Sequence, residues 1–382
     1  MEGTLPSVGG YDRTVFTPRS DTHARMSLEE YFDGFTRRDW EVRTDEPPVR
    51  FAMVGLGWWT REEAMPAVES ADFCETTVVV SGDPEKAERV AAGTATVEAA
   101  VTYEEFHAGV AADAYDAVYV CTPNATHPEH VVAAADLDKA VLCEKPMAAT
   151  SDGAERMVEV CADRGVPLAI AYRMQTEPAV RRARDLVADG ALGEPIHVHG
   201  HMADHLLEFV PDPGQWRLDP SLSGGTTMND IGIYPLNTAR FLLEADPVAV
   251  YATTASVTEA FADVDEHVAF QVEFPGNVTA VCTASHNAHR SSYLEVVGSA
   301  GRIRIEPAFF PWDDRELVVE AGGVRGEFGF EQVDQMTEEF DHFANRLQRG
   351  VDPRPDGRHG LVDIEALEAL YESAETGRRV TL

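Results

Sequence analysis

A lysine directly after a short apolar segment is the first candidate for chemistry in this sequence. Lys145 lies in Glu144-Lys145-Pro146, behind residues 140–143, which have the composition of a buried strand. Only three of the 31 Lys and Arg residues are lysines, so this one indicates a need for a compact, titratable ammonium that arginine does not supply. An ammonium at a strand end can stabilise negative charge that develops on a reacting hydroxyl. We therefore expect Lys145 to be catalytic.

A carboxylate and a phenol are spaced so that one helix would present them side by side. Asp230 and Tyr234 follow the Gly224-Gly225 turn, and residues at i and i+4 of a helix share a face about 6 Å apart. A phenol beside an ammonium is a reasonable proton acceptor for an alcohol. The competing interpretation is a tyrosine ring packed between domains and an aspartate that caps a helix.

The segment Gly55-Leu56-Gly57-Trp58-Trp59-Thr60 has the pattern and position of a dinucleotide-binding turn. It lies between the first predicted strand and the first predicted helix, where two glycines allow a tight turn and a close approach to a pyrophosphate. Thr60 occupies the position of the usual third glycine, so a side chain must fit between helix and strand there. A plain tight turn is the alternative.

The turn after the second predicted strand favours NADP as the cofactor. An NAD site usually places an acid at this strand end, but the terminal residue here is Ser81, followed by Gly82 and, one turn later, Lys86. A hydroxyl, a free backbone amide and a cation suit a 2′-phosphate. The alternatives are that Asp83 binds the ribose of NAD, or that Lys86 is only a solvated charge.

A further loop at a strand end, Cys121-Thr122-Pro123-Asn124-Ala125-Thr126-His127, would lie beside the nicotinamide half of such a site. His127 is either a catalytic acid or a polar residue at a helix start, and the second interpretation is favoured. No His and Cys residues have metal-ligand spacing, so hydride transfer without a metal is expected.

The order of predicted elements would bring these groups together. Residues 49–171, in which short apolar strands alternate with helices, predict a Rossmann domain with a doubly wound parallel sheet that binds the dinucleotide. Residues 172–382 predict a second unit with a mainly antiparallel sheet of about six strands, closed by two helices. Residues 1–48 predict an arm with a short helix over residues 28–35. This arm would lie over the body or a neighbouring subunit, or form a partly disordered tail.

The charge of the chain restricts its partners and its setting. The 66 Asp and Glu residues outnumber the 31 Lys and Arg residues and give a net charge of −35, which repels nucleic acids and anionic membranes. Acid excess with almost no lysine is typical of the cytosol of extreme halophiles, where molar salt shortens the Debye length to about 3 Å. An acidic protein of a mesophile is the alternative.

Cysteine usage and hydropathy indicate a cytoplasmic protein. The five cysteines are scattered, odd in number and form no CxxC pair, so we expect reduced thiols. The N-terminus has no apolar signal core, and the longest useful apolar run, residues 166–172, is too short to span a bilayer.

Six motifs together resemble the glucose–fructose oxidoreductase/myo-inositol dehydrogenase (Gfo/Idh/MocA) family. They are GLGWWT, VSGDPEKA, CTPNATH, EKP, WRLDPSLSGG and DIGIYPLN, and the resemblance covers residues 49–382. It implies that Lys145 is the catalytic lysine, that Tyr234 transfers a proton, and that Asp230 holds a substrate hydroxyl. The cofactor-binding residues that it implies are Gly55, Gly57, Trp58, Trp59, Ser81, Gly82, Lys86, Thr122, Pro123, Asn124, His127, Glu144, Lys145, Arg173, Trp216 and Arg217.

The pattern DxxxY with the turn SGxxEKA resembles the branch of this family that contains NADP-dependent aldose dehydrogenases. The resemblance implies oxidation of an aldose, with D-xylose as the expected substrate, at C1 to the lactone. It also implies that residues 172–382 form an α/β domain with a large open, mainly antiparallel sheet for substrate binding and oligomerisation, in a homodimer or homotetramer. The alternatives are oxidation of a dihydrodiol or polyol, redox exchange of the glucose–fructose type, and a regulator that senses NADP without catalysis. Retention of both Lys145 and Tyr234 argues against the regulator.

Overall fold

A parallel six-stranded sheet is built from the N-terminal half of the chain. The computed structural model of the protein describes residue 32 and residues 35–382. The strand order is β3-β2-β1-β4-β5-β6 and every pair is parallel, which is the order of a dinucleotide-binding sheet. The strands are β1 (Val49–Val54), β2 (Cys74–Val80), β3 (Ala99–Val101), β4 (Ala117–Val120), β5 (Ala140–Glu144) and β6 (Leu168–Ala171).

Local signals begin and end the helices that cover this sheet. Asp83 caps one helix by accepting a hydrogen bond from the Lys86 backbone N–H, and Thr150 caps another, which ends at Gly165 with φ 66°. The helices are Met65–Glu69, preceded by a π-helical turn Thr60–Ala64, then Pro84–Gly93, Tyr103–His107, His127–Asp136 and Ser151–Arg164. Short 3₁₀ turns cover Ala112–Ala114 and Asn124–Thr126.

A second sheet is built from residues 195–381. Its order is β14-β13-β12-β11-β7-β10-β9-β8-β15, and only the central pair of β7 and β10 is parallel. Its strands are β7 (Pro195–His205), β8 (Ala249–Ala255), β9 (His267–Phe274), β10 (Val278–Ser285), β11 (Asn287–Gly298), β12 (Gly301–Glu306), β13 (Glu316–Ala321), β14 (Val324–Gly329) and β15 (Val380–Thr381). The predicted fold class is therefore confirmed.

The predicted count of about six strands was wrong, because three strands at the sheet edges were missed. β13 and β14 form a hairpin around Gly322 and Gly323, whose φ angles of 61° and 82° suit a two-residue turn. β15 has only two residues, too few for a period to be visible in the sequence.

Helices cover one face of the second sheet and leave the other face open. The helices of this region are Pro178–Ala188, Leu206–Phe209, Pro220–Ser223, Ile233–Leu243, Gln335–Gln348 and Gly357–Thr376. Val198 of β7 and Ala280 of β10 point to the helices and are buried, while Val281, the next residue of β10, is 40% exposed. The open face therefore consists of the alternate residues of the same strands.

The C-terminal helices pack on both sheets. The ring of Phe340, in the helix Gln335–Gln348, lies 5.3 Å from the ring of Phe51 in β1. The backbone of Asp356, directly before the helix Gly357–Thr376, forms an isolated antiparallel β-bridge with Ala169 of β6. The helices of the predicted second domain are thus part of the core of the first, and the predicted boundaries at residues 48 and 171 stay a prediction.

The described part of the predicted arm lies over the body. Arg38 pairs with the buried carboxylates of Glu338, at 3.0 Å, and Asp341, at 2.8 Å, while the ring of Phe35 lies 5.6 Å from that of Phe330. The helix predicted over residues 28–35 falls outside the described residues except for positions 32 and 35. Within the described residues, no helix has the length and apolar character needed to cross a membrane.

Candidate active site

A cleft of about 780 Å³ runs along the carboxyl edge of the parallel sheet and into the second domain. All of the cofactor-binding and catalytic residues that the sequence predicted line this cleft. Such an edge is where open α/β sheets bind ligands. The structure therefore brings the predicted residues to one place.

The glycine turn after β1 has the form that a pyrophosphate requires. Gly55 has a φ of 94°, and a Cβ there would lie 2.1 Å from the carbonyl oxygen of Cys121. A Cβ on Gly57 would meet nothing within 4 Å, so this turn has open space on its cleft side. Thr60 replaces the third glycine without harm, because its buried hydroxyl donates to the Gly55 carbonyl at 2.6 Å.

The residues at the end of β2 are arranged around a serine, with the nearby acid already engaged. Asp83 is the cap of the following helix and accepts from the backbone N–H of Lys86 at 3.1 Å. The Ser81 hydroxyl accepts from the backbone N–H of Asp83 at 3.1 Å. A Cβ on Gly82 would lie 3.1 Å from the ring of Tyr103. The Ser81 and Lys86 side chains both line the cleft.

The loop after β4 is held by side chains that bond to backbone. His127 is buried, with Nε2 2.8 Å from the Thr122 carbonyl and Nδ1 3.2 Å from the Pro146 carbonyl. Burial lowers the pKa of His127 to about 4, so the ring is neutral, carries one N–H and donates to one of these two carbonyls. Asn124 donates to the carbonyl of Ser223 at 2.9 Å and so joins the loop to the second domain.

Lys145 points from the end of β5 toward Asp230. Its Nζ lies 2.8 Å from the Asp230 carbonyl oxygen, 3.3 Å from Oδ1 of the same residue, and 4.7 Å from the ring centre of Tyr234. Burial lowers the pKa of Lys145, but Tyr234 and Asp230 raise it by more, so its pKa lies above the usual value. The Lys145 side chain is therefore a protonated ammonium that its contacts with Asp230 hold in place.

Glu144, directly before this lysine, is enclosed by donors. Its Oε1 accepts from the Tyr119 hydroxyl at 2.7 Å and from Nε1 of Trp59 at 3.1 Å, and its Oε2 accepts from the Lys145 backbone N–H at 3.1 Å. Burial raises the pKa of Glu144. These bonds fix the strand end from which Lys145 projects and connect it to the glycine turn.

Asp230 is the anion around which the cations of the site gather. Arg217 Nε lies 2.9 Å from its Oδ2, and His286 Nε2 lies 3.3 Å from the same oxygen. Burial raises the pKa of Asp230, yet Arg217 and Lys145 lower it by more, so its pKa lies well below the usual range. The Arg217 guanidinium also lies 4.7 Å from the ring centre of Trp216, which lines the cleft.

The sequence reasoning missed His286 and its partner Asp204. Nδ1 of His286 lies 2.7 Å from Asp204 Oδ1. Burial lowers the pKa of His286, but its hydrogen bond to Asp204 and the carboxylate of Asp230 beside its Nε2 outweigh burial and raise the pKa to about 9. Ser285 of β10 pairs in register with Ala203 of β7, so the residues that follow them, His286 and Asp204, lie beside each other. The available signal in the sequence was a polar residue near the end of each strand. Only the pairing of β7 with β10 in the folded chain brings these two residues together.

Tyr234 meets a guanidinium where the sequence predicted an ammonium. Its hydroxyl accepts from Arg173 Nε at 3.1 Å and from Nη2 at 2.9 Å. Arg173 is buried and also donates to the Phe309 carbonyl at 2.7 Å and to Gln335. Lys145 instead lies over the ring face. Asp230 lies within the π-helical turn Met228–Gly232, and Tyr234 lies in the regular helix Ile233–Leu243 that follows, so the two are not on one regular helix as the spacing predicted.

The site as a whole has the chemistry of an oxidoreductase. It places a phenol held by a guanidinium, an ammonium and an ionised carboxylate beside a dinucleotide-type glycine turn. Among the described residues, no cluster of three or more His, Cys, Asp and Glu side chains could hold a metal ion.

Comparison with known proteins gives the family. Residues 49–172 match the oxidoreductase family with an NAD-binding Rossmann fold, and residues 180–304 match the GFO/IDH/MocA C-terminal domain. The chain therefore belongs to the Gfo/Idh/MocA oxidoreductase family, as its motifs predicted.

Individual relatives are similar over most of the chain. A D-xylose 1-dehydrogenase [NADP(+)] of Haloarcula marismortui is 60% identical over 94% of this chain and 100% of the relative. D-xylose 1-dehydrogenase (NADP(+)) 2 of Haloferax volcanii is 33% identical over 87% of this chain and 100% of its own length. The crystal structure of an aldose-aldose oxidoreductase from Caulobacter crescentus, complexed with glycerol, has a TM-score of 0.82 and 32% identity, and covers 88% of this chain and 100% of its own.

Proposed function

We propose that the protein is an NADP-dependent aldose 1-dehydrogenase that oxidises D-xylose at C1 to the lactone. The observation that carries the proposal is the arrangement of Tyr234, Lys145 and Asp230 beside the glycine turn of the cleft. The 60% identity to a relative named D-xylose 1-dehydrogenase [NADP(+)] supports the substrate and the cofactor.

The residues present fit an NADP molecule. The open space above Gly57 suits a pyrophosphate, and the strand end at Ser81 carries a hydroxyl where NAD sites carry an acid. Asp83 is engaged as a helix cap, which disfavours the alternative that it binds the ribose of NAD. Lys86, at the same end of the cleft, would then pair with the 2′-phosphate.

In this mechanism Tyr234 is the proton acceptor for the anomeric hydroxyl. The guanidinium of Arg173 donates two hydrogen bonds to the phenol oxygen and the ammonium of Lys145 lies over the ring, so these contacts hold the phenol in place for proton transfer. Asp230, kept ionised by its cations, would accept a hydrogen bond from a substrate hydroxyl and orient the sugar. An NADP molecule held by the glycine turn and by Ser81 and Lys86 would supply the acceptor for the hydride that leaves C1.

We further propose that a second copy of the chain covers the open face of the nine-stranded sheet. Val281 and Tyr251, which lie in one row with Gln271 across β10, β9 and β8, are both more than a third exposed. An exposed apolar row on a sheet face is typical of an interface. Its occupant would be the same face of a partner in a homodimer, or in a homotetramer of two such dimers.

The cellular setting that we propose is the cytosol of a salt-accumulating organism. All five cysteines are free thiols, and four of them are buried. The net charge of −35 fits molar salt, in which self-repulsion is screened. The 60% identical relative comes from Haloarcula marismortui.

A panel of aldoses with NADP and with NAD in molar salt tests the proposed function. D-xylose with NADP is expected to give the highest kcat/KM and stoichiometric NADPH. Polyols and dihydrodiols as better substrates would contradict the assignment. Redox exchange between two sugars is the second candidate, favoured by the 32% identity to an aldose-aldose oxidoreductase. It predicts sugar turnover without reduction of added NADP.

A further inference from the structure

Three aromatic side chains lie in contact with one another along the cleft. Trp58 belongs to the glycine turn, Phe209 ends the helix Leu206–Phe209, and Trp312 lies between β12 and β13. The Trp58 ring is 4.8 Å from that of Phe209 and 6.4 Å from that of Trp312, and the last two are 6.3 Å apart. They remain 41%, 55% and 55% exposed and line the cleft. We name them the aromatic triad.

The chain segment from Phe309 to Trp312 connects the surroundings of Tyr234, the proposed proton acceptor, to the triad. The Phe309 carbonyl accepts from Arg173, which holds the hydroxyl of Tyr234. Trp312 follows Phe309 by three residues, so their Cα atoms lie at most about 11 Å apart. The triad therefore begins one short segment away from the catalytic phenol.

A second segment connects the triad to the carboxylates of the site. Asp204, which pairs with His286, precedes Phe209 by five residues. Glu208 lines the cleft beside Phe209. Two separate segments thus run from the catalytic groups to the aromatic rings.

Polar groups accompany the rings at this end of the cleft. Arg290 lines the cleft, donates to Asp313 at 2.8 Å and lies 4.0 Å from the ring centre of Phe310. Flat aromatic faces flanked by carboxylates and a guanidinium match a pyranose ring, because its C–H face is apolar and its edge carries hydroxyls.

We propose that the aromatic triad is a second sugar subsite, which binds the non-reducing unit of a short oligosaccharide whose reducing end is oxidised at Tyr234. The proposal rests on the proposed aldose oxidation. Since C1 of the reducing unit must face the phenol, a ring joined through its O4 extends away from the reacting carbon. The C1–H bond breaks as a hydride for NADP, the hydroxyl proton passes to Tyr234, a C1 carbonyl forms, and the glycosidic bond stays intact.

The test compares D-xylose with β-1,4-xylobiose as substrates of the full-length protein in molar salt. Wild type is expected to oxidise both. Phe209→Ala is expected to lower kcat/KM for xylobiose about threefold to tenfold, the usual range for loss of one aromatic stacking contact, and to leave xylose within about twofold. Phe209→Tyr keeps the ring and is expected to behave as wild type. Val257→Ala, at an exposed apolar residue after β8, is the surface control.

A binding measurement separates this proposal from the proposed function. In the NADP-loaded Tyr234→Phe variant, whose kcat is expected to be strongly reduced, tryptophan fluorescence is expected to show a lower Kd for xylobiose than for xylose, and adding Phe209→Ala is expected to remove that difference. This readout needs no turnover, so it stands even if xylose is not oxidised.

Two outcomes would overturn the subsite. Equal binding and turnover of the two sugars in wild type and Phe209→Ala would show that the triad does not contact sugar. An equal fall for both sugars, together with weaker NADP binding, would show that the triad covers the cofactor.

Discussion

His286 makes the stability of the protein depend on pH in a window that can be measured. Its ring is buried between the carboxylates of Asp204 and Asp230. Burial lowers its pKa, but the hydrogen bond to Asp204 and the charges of both carboxylates raise it to about 9, from an ordinary value of 6.5. Because the folded state binds a proton more tightly than the unfolded state does, the charged ring stabilises the fold. That contribution is complete below pH 6.5 and is lost as pH rises through 9.

The size of this contribution follows from the shift. At about 1.4 kcal/mol per pKa unit, the rise from 6.5 to about 9 corresponds to about 3 kcal/mol of unfolding free energy. In His286→Gln no proton is bound in this window, so the variant is expected to be less stable than wild type near neutral pH. The difference should close as the wild-type ring loses its proton.

The assay is urea unfolding in molar salt, followed by tryptophan fluorescence, at several pH values from about 6 to about 10. The difference in unfolding free energy between wild type and His286→Gln is expected to shrink by about 3 kcal/mol across that range. His289→Gln, at an exposed histidine of the neighbouring strand β11, is the control and should keep the wild-type pH dependence. A difference that stays constant with pH would refute the reasoning, since His286 would then not be charged in the folded state.

Four further predictions concern catalysis, cofactor choice, salt and assembly. Tyr234→Phe and Lys145→Ala are each expected to lower kcat with xylose by about 10²–10⁴ while NADP binding, measured by fluorescence titration, changes little; loss of NADP binding together with activity would mean that these residues are structural. Lys86→Ala is expected to raise the KM for NADP and barely change that for NAD, and equal losses would show that Lys86 does not read the 2′-phosphate. Activity and stability are expected to fall between molar and about 0.1 M salt, because the Debye length roughly triples; full activity after overnight dialysis would count against adaptation to salt. Sedimentation in molar salt is expected to give a dimer or tetramer, and a monomer at every protein concentration tested would exclude the proposed interface.

Local sequence was sufficient for the parts of the protein that depend on neighbours along the chain. Alternation of strands and helices predicted the parallel sheet, and the glycine pattern predicted the turn after β1, where Gly55 adopts its positive φ. Lys145 was predicted at a strand end and lies there. The spacing of Asp230 and Tyr234 also brought both to the cleft. These features need only the short-range periods of helices and strands.

Two features that differ from the sequence-based expectation nevertheless have a signal in the local sequence. Gly322-Gly323 between two alternating segments is the sequence pattern of a hairpin, and it joins β13 to β14. Thr60 puts a side chain at the position of the third glycine, and its hydroxyl fits there because it donates to the Gly55 carbonyl of the turn. A threonine can thus replace a small residue when a carbonyl acceptor is near.

The partners of the catalytic side chains were decided by tertiary structure alone. Arg173 reaches the Tyr234 hydroxyl from a segment 61 residues away, and His286 reaches Asp204 across 82 residues. The second contact exists because β7 and β10 pair in parallel, a choice between strands that no local pattern encodes. Residue types and spacing determine which groups can react, whereas the protonation of these groups depends on charges that only the folded chain brings within a few ångströms.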